Sequence, residues 1–257
     1  MANHFHAVLH DEYANRSEFA QHFNSVVARA TNKYRNRRGH FWSNQKVSDP
    51  SLLDTQAVID KVVYSALNPV QAGLVEKASD WPVTILPDDW GKTIRVYRPD
   101  TYFRDTPEHP EYIEFTPLPP VEFRDRPLHQ TIKFFNREIR KAERKIAKQR
   151  RREGKTFKGI EAVYDESPNT KIKTSKTKNC RPQFFASSAT VYAKAKVALR
   201  KFRSDLRDAV RKFKEDPSTI FPAGTIMMRR RFGVRCCEIE FDDPYRPNYY
   251  APKLLAA

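Results

Sequence analysis

The stretch AVIDKVVYSALNPVQAGLVEKASDWP, residues 57–82, decides how the first part of the chain folds. Its apolar residues recur every three to four positions, the spacing that places side chains on one side of an α-helix. Pro69 has no backbone N–H and its ring crowds the preceding turn, so we expect it to end or kink this helix. The periodicity predicts a helix over residues 54–67 with a buried stripe of Val58, Ile59, Val62, Val63, Ala66 and Leu67.

A line of polar residues runs beside that apolar stripe. Asp60, Tyr64 and Asn68 follow one another at intervals of four residues, so they lie one turn apart on one face of the helix. We expect the apolar stripe to pack against a sheet. The tyrosine hydroxyl and the amide oxygen would then lie at the margin of the core.

The N-terminal stretch MANHFHAVLH, residues 1–10, alternates in the manner of a β-strand. Residues two apart on a strand share a face, so His4 and His6 can offer two imidazoles to one divalent ion. Two imidazoles and the amide oxygen of Asn68 form a suitable open site for magnesium or manganese, because positions remain for phosphate oxygens.

A tyrosine hydroxyl beside such a site can act as a nucleophile. Its reference pKa is about 10, so it needs a metal ion, a base or electropositive surroundings to react. Attack on a DNA phosphodiester would form a phosphotyrosine bond and free a 3′ hydroxyl, and a second hydroxyl could reverse the step. Each feature alone has a more common explanation: histidines at the surface or in the core, a tyrosine at the edge of the core, and an Asn-Pro stop signal.

The chain is strongly basic, and its charge is clustered. It has 257 residues, with 47 Lys+Arg against 31 Asp+Glu and a formal net charge of +16. This surplus favours a nucleic-acid partner, because neutralised phosphates release their counterions. Residues 129–158 hold 12 Lys or Arg against three Glu, and a predicted helix over 188–214 holds nine Lys or Arg. The cations expected to contact DNA are Arg137, Arg140, Lys141, Arg144, Arg200, Arg203 and Arg207.

The remaining segments have weaker patterns. We predict a helix over residues 17–34 and a short strand over 40–47. Residues 82–127 hold nine of the 18 prolines, which predicts a wrapped linker with short edge strands at most. A mobile loop is predicted over 165–183 and a terminal strand over 233–243.

Targeting signals are absent from the sequence. No apolar run is long enough to span a bilayer, and the N-terminus has no signal-peptide core. Cys180, Cys236 and Cys237 have no zinc-site spacing. We therefore expect reduced thiols in a cytoplasmic protein that has no membrane partner.

Three stretches, taken in order, resemble a known family. MANHFHAVLH is similar to the histidine strand of the single-tyrosine HUH transposases, the insertion-sequence and REP-associated kind. RRGHFWSNQKVSD, residues 37–49, resembles the segment that follows their first downstream helix. AVIDKVVYSALNPVQAGLVEKASDWP resembles their nucleophile helix, with Tyr-x-x-x-Asn-Pro-Val followed by Ala-Gly-Leu-Val. The resemblance covers roughly residues 1–82, and the combination is more specific than any one stretch.

The resemblance implies an enzyme and its site. Tyr64 would be the nucleophile, His4, His6 and Asn68 the ligands of Mg²⁺ or Mn²⁺, and His10 a structural residue. The implied activity is a metal-dependent DNA strand transferase that cleaves and rejoins single-stranded DNA with hairpin ends through a 5′-phosphotyrosine intermediate, usually as a homodimer. Two alternatives stay open: a non-catalytic remnant that binds single-stranded DNA or structured RNA, and a metal-dependent nuclease that forms no covalent link.

The same resemblance predicts an α+β fold in three parts. Residues 1–86 would form a ferredoxin-like antiparallel core, 87–128 a proline-rich connection, and 129–257 a basic, mainly helical extension. Relatives carry further strands and a helix before the histidine strand, so we expect this core to be N-terminally incomplete and its activity to be lost if nothing replaces them. The missing strands would lie upstream, be gone from a degraded gene, or come from the C-terminal half or a second subunit.

Overall fold

The computed structural model describes residues 4–12, 15–42, 48–98, 110–167 and 182–237. Over these residues the protein combines helices with short strands, which confirms the predicted α+β character. The helices are α1 (Arg16–Tyr34), α2 (Thr55–Gln71), α3 (Leu128–Arg152), α4 (Ile160–Tyr164), α5 (Ala189–Phe213) and α6 (Ile226–Phe232). The strands are β1 (Ser51–Leu52), β2 (Ile94–Tyr97), β3 (Tyr112–Phe115) and β4 (Phe184–Phe185).

The chain divides into two compact units. The first contains residues 1–10 and 55–180, and the second contains residues 11–54 and 181–257. In the first unit β2 and β3 form an antiparallel hairpin, and in the second β1 and β4 pair in parallel over two residues. These units group the chain differently from the composition boundaries at 86 and 128, because α2 and α3 pack together.

The first unit is built around the contact between α2 and α3. Leu67 and Val70 on α2 are almost completely buried and pack against Ile139 on α3. Burying a Leu or Val side chain stabilises a fold by about 1.5–3 kcal/mol, so this contact is a large part of what holds the unit together. The cluster also contains Ala66, Val75 and Ala78. The apolar stripe predicted for α2 therefore packs on a helix instead of the expected sheet.

The proline-rich segment is more ordered than the predicted linker. Trp90 and Phe123 are buried against Phe135 of α3, and both rings meet the Phe135 ring edge-on with centroids 5.1 Å apart. Between these two anchors the chain runs out along β2 and returns along β3. Neither strand contains a proline, so the backbone N–H groups that the hairpin needs are all present.

The end of α2 also differs from the prediction. The helix does not stop at Asn68 but continues through Pro69 to Gln71. Leu74 N–H donates to the Pro69 carbonyl at 2.9 Å and Gly73 N–H donates to the Val70 carbonyl at 2.9 Å, the two bonds of a Schellman cap. These bonds and the burial of the last turn outweigh the single hydrogen bond that proline removes.

Gly73 is required by its backbone and by a neighbouring side chain. Its φ of +73° lies in the left-handed region that glycine adopts without strain. A Cβ atom at this position would lie 2.3 Å from Nη2 of Arg150. That guanidinium is held in place, because Nη2 donates to the Thr156 carbonyl at 2.6 Å and the group lies 4.8 Å from the Phe157 ring centroid.

Two strand predictions are wrong over the described residues. No strand is present over residues 4–10 or 40–42, and residues 43–47 lie outside the described part. Alternation fits a strand, but a strand also needs a neighbouring backbone to pair with, which alternation does not supply. The terminal-strand prediction is met only by an isolated bridge between Phe221 and Cys236, and residues 238–243 are not described.

Two further helices, α1 and α5, match their predictions closely. α1 begins one residue before the predicted range, and α5 lies within one residue of its range at either end. Ser188 caps α5 by accepting a hydrogen bond from Val191 N–H at 3.4 Å. Residues 168–181 of the predicted loop, with Cys180, lie outside the described residues, whereas Cys236 and Cys237 are free thiols. None of the described helices is both long and apolar enough to cross a bilayer.

Substituting Gly73 tests the end of α2. We expect Gly73→Ala to lower the free energy of unfolding, because alanine strains the left-handed backbone and displaces Arg150. Gly154→Ala is the matched control, since Gly154 has φ +65° and no atom lies within 4 Å of the point that a Cβ would occupy there. The free energy of unfolding, measured with urea, should fall by about 1–2 kcal/mol in the control. It should fall further in Gly73→Ala. Equal losses would contradict the Arg150 contact.

Candidate active site

Tyr64 lies on the side of α2 away from the buried core. Its side chain is 38% exposed, whereas Ala66 and Leu67 in the next turn are buried. The imidazole of His6 contacts the Tyr64 ring edge-on, with ring centroids 5.3 Å apart and an interplanar angle of 90°. The N-terminal segment and the second helix thus bring together the two predicted residues whose proximity the proposed chemistry requires.

His4 and His6 also lie side by side. Their ring centroids are 5.0 Å apart at an interplanar angle of 83°. An imidazole nitrogen binds zinc at about 2.1 Å, so two imidazoles on one ion of similar size would place their centroids roughly 5 Å apart. The spacing of the two rings therefore fits shared coordination of one divalent ion, although the segment that carries them is not a strand.

Both histidines are held toward the neutral form. Partial desolvation is the main cause that lowers the pKa of His4 below its usual range, although its side chain is exposed. Partial desolvation is also the main cause that lowers the pKa of His6, with further contributions from the charges of His4 and Lys61. A metal ligand must be a neutral imidazole, so a lowered pKa reduces the competition of protons with a metal ion.

Lys61 is part of the site, although the sequence pattern did not single it out. Its Nζ atom lies 5.3 Å from the centroid of the Tyr64 ring. The spacing of three residues on one helix was the available signal, because residues three apart are neighbours on a helix surface. The predicted four-residue line runs instead through Asp60, whose carboxylate accepts a hydrogen bond from Gln56 at 2.8 Å.

Asn68 lies one turn after Tyr64, still within α2. Its side chain is only 8% exposed. Its assignment as the third metal ligand stays a prediction. The described residues contain no group of three or more His, Cys, Asp or Glu able to hold a metal ion.

The cations predicted to contact DNA are all exposed. On α3 they lie on the side opposite the buried residues Thr131, Phe135 and Ile139. The described part of the chain shows few acidic partners for them. The set comprises Arg137, Arg140, Lys141 and Arg144 on α3 and Arg200, Arg203 and Arg207 on α5.

Glu138 is the acidic residue that approaches the α3 cations. It lies 3.2 Å from Arg137 and 4.0 Å from Lys141. Within the described ranges, Arg140 and Arg144 have no ion-pair partner. Their charges are therefore available to a polyanion, and surface ion pairs such as those with Glu138 are weak enough to be exchanged for phosphate contacts.

Comparisons with family models, with curated proteins and with solved structures found no match to this chain.

Removing the charge of Lys61 tests the geometry of the site. In Lys61→Met we expect the pKa of His6 to rise, because one of the cations that disfavours the protonated imidazole is gone. The pKa is measured from the pH dependence of the His6 ring resonances by NMR. Lys148→Met, on the exposed side of α3, should leave this pKa unchanged. A His6 pKa that is the same in Lys61→Met and the wild type would show that Lys61 lies elsewhere.

Proposed function

We propose that this protein cleaves and rejoins single-stranded DNA through a covalent 5′-phosphotyrosine bond at Tyr64. The observation that carries the proposal is the contact between the Tyr64 ring and the His6 imidazole at 5.3 Å, with His4 beside it. A nucleophile next to a pair of metal-type ligands is the arrangement that phosphoryl transfer needs. The order of the motifs, which resembles that of the single-tyrosine HUH transposases, supports the same function.

The reaction exchanges one phosphodiester bond for another, so the energy of the bond is retained for rejoining. The Tyr64 hydroxyl gives its proton to solvent, and its oxygen attacks the scissile phosphorus. The bond from phosphorus to the 3′ oxygen breaks, and that oxygen takes up a proton to become a free 3′ hydroxyl. The 5′ phosphate remains on Tyr64. In the second half of the reaction another 3′ hydroxyl loses its proton, attacks the same phosphorus and releases Tyr64, so rejoining is the reverse of cleavage.

The residues around Tyr64 have separate roles. His4 and His6, with Asn68, would hold the Mg²⁺ or Mn²⁺ ion. When bound, the ion polarises the phosphate and neutralises developing charge. Lys61 is a cation beside the Tyr64 ring, so it would attract the incoming phosphate. Exposure of the Tyr64 ring leaves room for a DNA strand to approach.

The proposal extends to the substrate and the assembly. Exposed arginines on α3 and α5 favour a polyanionic partner. A single DNA strand can reach Tyr64, because this tyrosine is exposed on its helix. Hairpin-ended DNA, a homodimer and a ferredoxin-like core follow from the resemblance and belong to this proposal. The cytoplasmic location inferred from the cysteines likewise stays a prediction.

Tyr64→Phe is the direct test. The wild type, incubated with single-stranded hairpin DNA and Mg²⁺ or Mn²⁺, should form a denaturation-resistant adduct. Tyr64→Phe should form none while binding the same DNA, because only the hydroxyl is lost. Tyr34→Phe, also an exposed tyrosine, is the control and should react like the wild type. Wild-type protein that binds DNA and never forms an adduct would overturn the proposal.

One alternative has an observation in its favour. Exposed cations are abundant on α3 and α5, and in the described ranges Arg140 and Arg144 have no ion-pair partner. This surface would suit a non-catalytic binder of single-stranded DNA or structured RNA. Binding without an adduct would support the binder, and strand hydrolysis that survives in Tyr64→Phe and fails in His4→Ala and His6→Ala would support a metal-dependent nuclease.

Arg144 tests the cationic side of α3. If Arg144 contacts a phosphate, Arg144→Gln should weaken binding to all sequences alike and reduce the slope of log affinity against log salt by about 0.7. Lys155→Gln removes the same charge from a residue that is already paired with Glu153 at 2.7 Å, so it should change the slope less. Affinities are measured by fluorescence anisotropy over a range of salt concentrations. Identical slopes in the two variants would exclude Arg144 from the interface.

A further inference from the structure

The proline-rich segment forms an exposed finger, defined as residues 91–98 and 110–117. Backbone hydrogen bonds close it at both ends: Gly91 N–H donates to the Pro117 carbonyl at 2.8 Å, and Arg98 N–H donates to the Glu111 carbonyl at 2.7 Å. Its two paired strands have four residues each and are therefore about 13 Å long. The proline content predicted only short edge strands here, and the proposed chemistry at Tyr64 does not use this segment.

The finger is anchored to α3 by buried residues next to its two ends, whereas its strands are largely exposed to solvent. Trp90 and Phe123, just outside its two ends, are buried against Phe135 of α3. Every residue of β3, and three of the four residues of β2, is exposed. A two-stranded hairpin is marginal on its own in water, so a finger this exposed gains stability from whatever covers it.

The register of the hairpin separates two kinds of face. Arg95 lies opposite Glu114, and Tyr97 lies opposite Tyr112. These four residues alternate with their neighbours, so they share one face of the sheet. The other face is purely aliphatic and aromatic, and is formed by Ile94, Val96, Ile113 and Phe115.

The first face presents planar groups in contact with one another. The rings of Tyr97 and Tyr112 have centroids 5.8 Å apart. The Arg95 guanidinium lies 4.2 Å from the Tyr112 centroid, and its Nε and Nη2 atoms donate to one carboxylate oxygen of Glu114 at 2.9 and 2.7 Å. Glu114 therefore fixes the plane of the guanidinium, and the side chain of Arg95 is still 48% exposed.

We infer that Arg95, Tyr97 and Tyr112 form a stacking platform for the unpaired bases of a single-stranded nucleic acid. Bases stack on tyrosine rings and on guanidinium planes, and this recognition tolerates any sequence because every base has a π-face. In a duplex those faces are already stacked on one another, so the platform discriminates in favour of single strands.

Charge at the base of the finger favours a nucleic acid over an apolar partner. Arg126 lies over the Phe123 ring at 5.1 Å and Arg137 lies over the Phe134 ring at 5.4 Å, both beside the anchoring cluster. Both arginines are exposed. A strand whose bases stack on the finger would have cations for its phosphates where the finger meets α3, and the whole chain carries a net charge of +16.

The test measures equilibrium binding of the full chain to a labelled oligothymidylate of about 15 nucleotides, a length near the upper site size of such surfaces, at physiological salt without a divalent ion. Tyr97→Ala and Tyr112→Ala should each weaken binding by about tenfold. Tyr97→Phe and Tyr112→Phe should bind like the wild type, because the ring is kept. Val96→Thr and Ile113→Thr, on the opposite face, are the matched controls and should also bind like the wild type.

Two further readouts complete the test. An oligonucleotide containing 2-aminopurine should lose fluorescence on binding to the wild type and less on binding to Tyr97→Ala, which reports stacking directly. Binding to the matching duplex should be weaker and insensitive to all six variants. The inference is overturned if the alanine variants bind single strands with the affinity of the wild type. It is also overturned if the Thr or Phe variants lose as much affinity as the alanine variants do. A change only in oligomeric state would overturn it in favour of self-association. None of these measurements requires an adduct at Tyr64, so the stacking platform and the proposed strand cleavage can fail separately.

Discussion

The burial of Leu67 and Val70 against Ile139 is the contact on which the first unit depends. It joins α2 to α3, although a long proline-rich segment separates them in sequence, and so determines which side of each helix remains exposed. On α2 the exposed side carries Tyr64 and Lys61. On α3 it carries arginines and lysines. An apolar contact in the core thus decides where the Tyr64 hydroxyl and the cationic surface lie.

The outward side of α2 becomes a candidate site because a second segment approaches it. His6 meets the Tyr64 ring at 5.3 Å, and His4 lies 5.0 Å from His6. Partial desolvation lowers the pKa of both exposed imidazoles, which favours the neutral form that binds a metal ion. Lys61 adds a positive charge near the phenol. Together these groups would hold phosphate oxygens next to the Tyr64 hydroxyl, which a transesterification by tyrosine requires.

The helices could be predicted from the sequence because their period is local. The apolar spacing in α1, α2 and α5 requires only that one side of each helix be buried, and the structure has a helix at each of these places. The end of α2 depends on a Schellman cap at Gly73 and on burial by α3. Neither is visible in the spacing around Pro69, which by itself indicates a stop.

Strands and side-chain neighbours were harder to predict, since both depend on distant segments. Residues 4–10 alternate like a strand but have no strand partner among the described residues. The proline-rich segment contains a hairpin because its prolines fall outside the two strands that pair. Tyr64 and the histidines could be selected from the order of the motifs, whereas Lys61 could not, because its importance depends on the meeting of α2 with the N-terminal segment.

The proposed function requires that one divalent ion, held by His4 and His6, lies next to Tyr64. Paramagnetic Mn²⁺ titrated into the full chain tests it most directly, because the ion broadens the NMR resonances of nearby protons. The account predicts that substoichiometric Mn²⁺ broadens the ring resonances of His4, His6 and Tyr64 first, and that the effect disappears in a His4→Ala, His6→Ala double variant. Broadening that leaves the Tyr64 ring untouched, or that persists in the double variant, would contradict it.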